Sequence, residues 1–94
     1  MKLIEHFVDG KQFSGDSKRT SQIFNPATGE HSADVKLSST SDVNKAVASA
    51  QNAFESWSNT PPLQRARVMF KFKELIEKNE DELTKMIVSE HGKV

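Results

Sequence analysis

Cysteine is missing from the sequence. Its absence excludes a disulfide framework and a thiolate zinc site, and it fits a reducing compartment. Net charge is missing as well: 13 basic residues balance 13 acidic ones, so no overall field gathers nucleic acid or an anionic membrane surface. No stretch approaches the roughly 18 uninterrupted apolar residues of a membrane span. The opening Met1-Lys2-Leu3-Ile4-Glu5-His6 carries an early acid and lacks both the apolar run of a signal peptide and the Arg-rich character of a transit peptide. Together these absences predict a cytoplasmic protein with neither a membrane nor a nucleic acid as partner.

Side chains able to do chemistry are equally sparse. His6, His31 and His91 are scattered, with no pair at the i, i+4 spacing that would present two imidazoles to one metal. His91 falls at the end of a candidate helix, where a cation suits the negative end of the dipole. Gly29 and Gly92 are isolated, and no dinucleotide fingerprint follows a strand and opens a helix. No nucleophile-elbow sequence supports a Ser-His-Asp triad. The expectation is therefore no catalytic residue, no cofactor-binding residue and no metal ligand in this chain.

What is present is pattern. Ninety-four residues make one domain at most, long enough to hold a modest core without staples. At 35% hydrophobic and 28% charged, the chain is polar for a self-contained domain yet too patterned for disorder. Asp9-Gly10 between Phe7-Val8 and Gln12-Phe13 accepts the positive φ angles of a type I′ turn, which predicts a hairpin. Ser14 to Ser21 reads as a loop. Ile23-Phe24 reads as a brief strand stopped by Asn25-Pro26, since proline cannot donate to a ladder. From His31 to Leu37 the residues Ala33, Val35 and Leu37 alternate onto one side, giving a half-buried strand. Residues 1–38 thus predict a small antiparallel element.

From Ser39 the period becomes helical. Ser39 and Asp42 have capping-box spacing, and Val43, Ala46, Val47, Ala50, Phe54 and Trp57 form one apolar stripe over a helix at 39–58. Phe54 and Trp57 are expected to supply most of its buried area. Ser58-Asn59-Thr60-Pro61-Pro62 breaks that helix, and Pro62 suits the first position of another at 62–78. The second helix carries Leu63, Ala66, Val68, Met69, Phe70, Phe72, Leu75 and Ile76, which cover more than one stripe and need cover on two sides. Asn79, ahead of Glu80, Asp81 and Glu82, is expected to cap a third helix at 79–91, with Leu83, Met86 and Ile87 on its apolar face and Gly92 as its stop. Little in the chain can cover the second helix. Self-association or partial unfolding of the isolated piece is the consequence.

Asn25-Pro26-Ala27-Thr28-Gly29-Glu30, with the run from Thr60 through Arg65-Ala66-Arg67-Val68 to Lys73, resembles the amino-terminal start of the aldehyde dehydrogenases. Within that superfamily Arg65-Ala66-Arg67-Val68, Phe70, Phe72 and Glu90-His91-Gly92-Lys93 are most similar to the coenzyme-A-acylating methylmalonate-semialdehyde dehydrogenases. The resemblance runs from about Phe7 to Lys93 and covers about the first fifth of such an enzyme. It implies an α+β fragment, a hairpin and short strand followed by three helices, forming part of a Rossmann-like NAD-binding domain. It implies a parent that oxidises malonate or methylmalonate semialdehyde with NAD and passes the acyl group from a cysteine thioester to coenzyme A. The missing cysteine means that this piece is expected to be inactive alone and to have a structural role, its partners being the remainder of a dehydrogenase chain or like subunits. In related dehydrogenases, carbonyls just ahead of the Asn-Pro motif help hold a monovalent cation; here these would be Ile23 and Phe24.

Two other functions compete. A truncated or split gene could yield a small helical protein-interaction module that uses the doubly apolar second helix. Arg65, Arg67, Lys71, Lys73 and Lys78 form the one basic cluster, but Glu74 shares a helical face with Arg67, Lys71 and Lys78. An ion-pair strip is therefore favoured over a phosphate-contacting surface, and no aromatic is interleaved at exposed positions as single-stranded nucleic-acid platforms require.

Overall fold

A computed structural model describes residues 1–94. Five short strands precede three helices: β1 (Lys2–Ile4), β2 (His6–Val8), β3 (Lys11–Phe13), β4 (Thr20–Phe24), β5 (His31–Lys36), α1 (Thr40–Asn59), α2 (Pro62–Lys78) and α3 (Glu80–His91). The strands form two pieces. Asp9 at φ 56° and Gly10 at φ 74° close the β2–β3 hairpin, pairing His6 with Phe13 and Val8 with Lys11. Both central residues have the positive φ of a type I′ turn, which matches the twist of the strands they join. The second piece is a three-stranded sheet in the order β1-β5-β4.

That sheet departs from the expected antiparallel element. β4 runs antiparallel to β5, but β1 lies parallel on the other edge, with Lys2, Leu3 and Ile4 opposite Ala33, Asp34 and Val35. No strand was expected at the extreme N-terminus. Parallel pairing joins residues about thirty positions apart, so nothing in the local pattern announces it. The Ser14–Ser21 loop is also shorter than expected, because β4 begins at Thr20. As the central strand, β5 shields its middle from both sides, and Ala33 is buried there.

Helix α1 starts as its sequence dictates. The Ser39 hydroxyl accepts from the Asp42 backbone N–H, and the Asp42 carboxylate accepts from the Ser39 N–H, each at 3.0 Å. The hairpin leans on the line of Asp42, Ala46 and Ser49, where Ser49 Oγ donates to Asp9 at 3.4 Å and Lys45 Nζ stands 5.7 Å from the Phe13 ring centroid. The apolar stripe beside that line is open. Phe54 is 60% exposed and Trp57 40% exposed, so the expected burial of both is not met within these residues.

Pro62 occupies the first turn of α2, where its missing N–H costs no helical bond. Asn79 corrects an expectation. Its side-chain amide donates to the Leu75 carbonyl at 2.7 Å and its backbone N–H to Leu75 and Ile76, so it finishes α2 and gives α3 no side-chain cap. Asn79 alone separates the two helices, and its carbonyl already accepts from the Leu83 N–H. Gly92, left-handed at φ 71°, ends α3, and a Cβ there would come within 2.8 Å of the Pro26 ring. The end of α3 therefore abuts the β4–β5 turn.

Packing stops at that level. Ala33 and Asp42 are the two buried residues, and neither α2 nor α3 contains one. The radius of gyration is 16.9 Å, against about 12 Å for a compact domain of this length. Accessible surface reaches 7798 Å², where a compact monomer of this mass exposes about 5,400 Å². The molecule is an open tray, 48 × 35 × 16 Å in extent, with its apolar helical faces uncovered.

Candidate functional site

The best-built polar site joins the start of α1 to the loop between β3 and β4. Asp42 is only 2% exposed. One carboxylate oxygen accepts from the Ser39 N–H and the other from the Asp16 N–H, both at 3.0 Å. Ser39 Oγ donates in turn to the Asp16 carboxylate. Hydrogen bonds of this kind favour the ionised acid, and they hold Asp42 below the usual carboxylate range. The Ser39 backbone donor is the largest cause, the Asp16 donor and the nearby His6 act in the same direction, and burial works against them. Arg19 Nη2 donates to the Ser38 carbonyl at 2.8 Å and Lys36 Nζ to the Ser17 carbonyl at 2.7 Å, so the loop is strapped down on both sides.

This arrangement does not fit a dinucleotide phosphate. Helix N-termini take phosphates through free N–H groups. At α1 the Asp42 N–H is already bound, and a buried carboxylate sits where the anion would approach. No Gly-rich turn opens any of the three helices.

The β4–β5 connection is an internally bonded turn. Asn25 Oδ1 accepts from the Ala27 N–H at 2.9 Å, the Asn25 carbonyl accepts from the Gly29 N–H at 2.7 Å, and the Asn25 N–H donates to Glu30 at 2.9 Å. Such side-chain-to-backbone bonds are why asparagine opens turns. Beyond the turn the ladder shifts register, Phe24 facing His31 and Ile23 facing Ala33, so Ser32 is the extra residue of a bulge. A one-residue insertion reverses the alternation. His31 thereby reaches Asp34, with Nε2 2.7 Å from Oδ1, and lies beside Phe24 with ring centroids 5.6 Å apart. The Ile23 carbonyl accepts from Ser32 Oγ at 3.2 Å.

The three histidines are not brought together. His6 stands 3.4 Å from Ser38 Oγ, His31 pairs with Asp34, and His91 lies in the last turn of α3. No group of three or more His, Asp or Glu side chains converges on a point where a metal could sit. Two residues of the basic cluster on α2 are paired, Lys71 with Glu74 at 3.5 Å and Lys73 with Glu77 at 3.4 Å, all well exposed. Arg65 is turned inward, its Nε shut off from water without an acceptor. Asp16 and Gly15 escaped the sequence reading as members of the polar site. The capping-box spacing marked Asp42, but nothing local links it to residues 26 positions earlier.

The open face of α1 forms a shallow apolar depression lined by Ala50, Ala53, Phe54, Ser56 and Trp57. A smaller groove of about 210 Å³ lies between the hairpin and α1, lined by Val8, Phe13, Val43, Ala46 and Val47 together with His6, Ser38 and Asp42. Both are lined mainly by apolar side chains.

Known proteins place the segment. The profile of the Aldehyde dehydrogenase family matches residues 13–94. Malonate-semialdehyde dehydrogenase of Pseudomonas aeruginosa is 41% identical over 93 residues, spanning 99% of this chain and 18% of that protein. The crystal structure of methylmalonate-semialdehyde dehydrogenase from Oceanimonas doudoroffii superposes with a TM-score of 0.92 at 47% identity, covering 97% of this chain and 18% of that one. A protein of Sinorhizobium meliloti 1021, described as a methylmalonate-semialdehyde dehydrogenase and complexed with NAD, gives a TM-score of 0.93 at 47% identity with the same coverage. The chain thus spans about a fifth of the length of the relatives it matches. It belongs to the aldehyde dehydrogenase family, and its hairpin, mixed sheet and three helices are those of the N-terminal part of that fold.

Proposed function

We propose that these residues are the N-terminal scaffold of an NAD-dependent, coenzyme-A-acylating dehydrogenase of malonate or methylmalonate semialdehyde, acting in the cytoplasm. One observation carries the reading: 47% identity and a TM-score of 0.92 to a methylmalonate-semialdehyde dehydrogenase across 97% of this chain. Such an oxidation needs a thiolate to add to the aldehyde and hold the acyl group as a thioester until coenzyme A takes it. This chain has no cysteine, and the start of α1, with the Asp42 N–H bound and its carboxylate buried there, is unsuited to a dinucleotide phosphate. Its contribution is packing, and by itself it is inactive. The open faces of α1, α2 and α3 are covered by the remainder of the dehydrogenase chain or by like subunits, which is the cheapest remedy for so many exposed Phe, Met, Val and Leu side chains.

The intact mass of the native gene product tests this. A polypeptide of about 490–520 residues, the size the relatives imply from their 18% and 19% shares, and one NADH formed per acyl-coenzyme A would support it. A native product ending at Val94, or turnover of semialdehyde by purified Met1–Val94, would overturn it.

A further inference from the structure

The hydrogen bonds of this chain divide it unevenly. Among side-chain bonds, those that join distant segments all lie before α1 is half complete: Asp16 to Asp42, Arg19 to Ser38, Lys36 to Ser17, and Ser49 to Asp9. From Ser56 onward, every side-chain hydrogen bond closes within four residues of its donor. Burial divides in the same place, since Ala33 and Asp42 both belong to the first part and neither α2 nor α3 contains a fully buried residue. Helices of 17 and 12 residues with so little tertiary cover are marginal in water, because each must offset a costly nucleus largely with its own ladder.

The link between strands and helix is the Ser39–Asp42 box with Asp16. In an ordinary capping box the two residues satisfy only each other. Here the Asp42 carboxylate has a second oxygen, which takes the Asp16 N–H, and the Ser39 hydroxyl returns a bond to the Asp16 side chain. Gly15 brings the loop backbone close enough for this, its missing side chain leaving room for the carboxylate. Starting the helix and docking the loop are therefore one event.

We propose that the Asp16–Ser39–Asp42 clasp is a conformational device that makes the strands and the first half of α1 a cooperative unit, one that is ordered before and without α2 and α3. The two later helices take up their places only under cover. In a longer enzyme this unit is a preformed ledge, presenting the α1 face to whatever packs on it. The inference stands whichever aldehyde the enzyme oxidises, because it uses no contact to substrate.

Amide hydrogen exchange on the 94-residue chain, at a concentration where it is monomeric, tests the proposal. Amides of β4, β5 and residues 39–49 should exchange at least about tenfold more slowly than those in the interior of α2 and α3. Ser39→Ala should remove that difference, lowering protection in β4 and β5 as well as in α1, while Ser39→Thr, which keeps the hydroxyl, should retain it. Equal or greater protection in α2 than in β5 would overturn the proposal. So would a Ser39→Ala variant whose β5 amides remain as protected as before.

Discussion

The carboxylate of Asp42 fills the space that a side chain at residue 15 would occupy: a Cβ built on Gly15 would stand 2.7 Å from Asp42 Cγ. Gly15 also holds φ at 74°, which side-chain-bearing residues rarely adopt. Gly15→Ala therefore meets two penalties at once, left-handed strain and displacement of a buried acid from its donors. Gly10 and Gly29 share the same φ but face open space, so alanine there meets the strain alone, about 1–2 kcal/mol. The expected order is a loss at Gly15 clearly larger than at Gly10, read from the opening free energies of β5 amides. Equal losses at the two positions would remove Asp42 from the account.

Asp42 should also set the acid limb of stability. Its pKa is lowered in the folded chain from an ordinary value near 3.8, so the ionised form is the one folding favours. The stabilisation is fully present above that ordinary value and is lost as pH falls through the lower folded value. Asp42→Asn keeps the shape but removes the charge, and it turns one acceptor into a donor facing a backbone N–H. The variant should be less stable at neutral pH, and its stability should change less between pH 5 and pH 2 than that of the parent. Circular dichroism melts across that range would show it, and parallel pH profiles would contradict it.

Local signals and non-local ones differ sharply in this chain. Asp9-Gly10 made the hairpin legible, Ser39 with Asp42 marked the start of α1, Pro62 the start of α2 and Gly92 the end of α3, because each acts within one turn of backbone. The parallel pairing of Lys2–Ile4 with Ala33–Val35 was not legible, nor was the reach of Asp42 to Asp16, since both depend on residues dozens of positions away. Asn79 was misjudged for a related reason. An asparagine between two helices can serve either, and the short connection lets it bond back to Leu75. The apolar stripes of α1 and α2 were read correctly as stripes. The exposure of Phe54 and Trp57 on α1 was not foreseen, whereas the lack of cover for α2 was.

The basic residues of α2 should matter little to folding. Lys73 and Glu77 are 3.4 Å apart, but their side chains are 73% and 63% exposed. Water and salt screen such a pair, and exposed i, i+4 pairs contribute about 0.3–0.5 kcal/mol. Lys73→Ala should shift stability by no more than that, with the difference vanishing in molar salt. The same cluster should give no salt-dependent binding when titrated with a DNA oligonucleotide, because Glu74 and Glu77 engage two of its lysines and the chain as a whole carries no net charge. An affinity that falls steeply with added salt would instead make the cluster a phosphate-contacting surface.

Trp57 is the single tryptophan, and it reports on cover over α1 without interference from another indole. In this chain it is 40% exposed, beside Phe54 at 60%, in a depression open to water. Its emission in the isolated chain should be that of a hydrated indole. When a longer polypeptide or a subunit packs on the α1 face, the ring is dehydrated and the emission should move to shorter wavelength. Trp57→Ala supplies the energetic counterpart. Truncating a fully buried aromatic costs about 3–5 kcal/mol, and a ring already two-fifths exposed should cost distinctly less in the isolated chain. In the longer enzyme the full cost should return. A tryptophan emission that is the same in both forms would mean that the α1 face stays wet in the assembled protein, and the apolar stripe from Val43 to Trp57 would then need a different explanation.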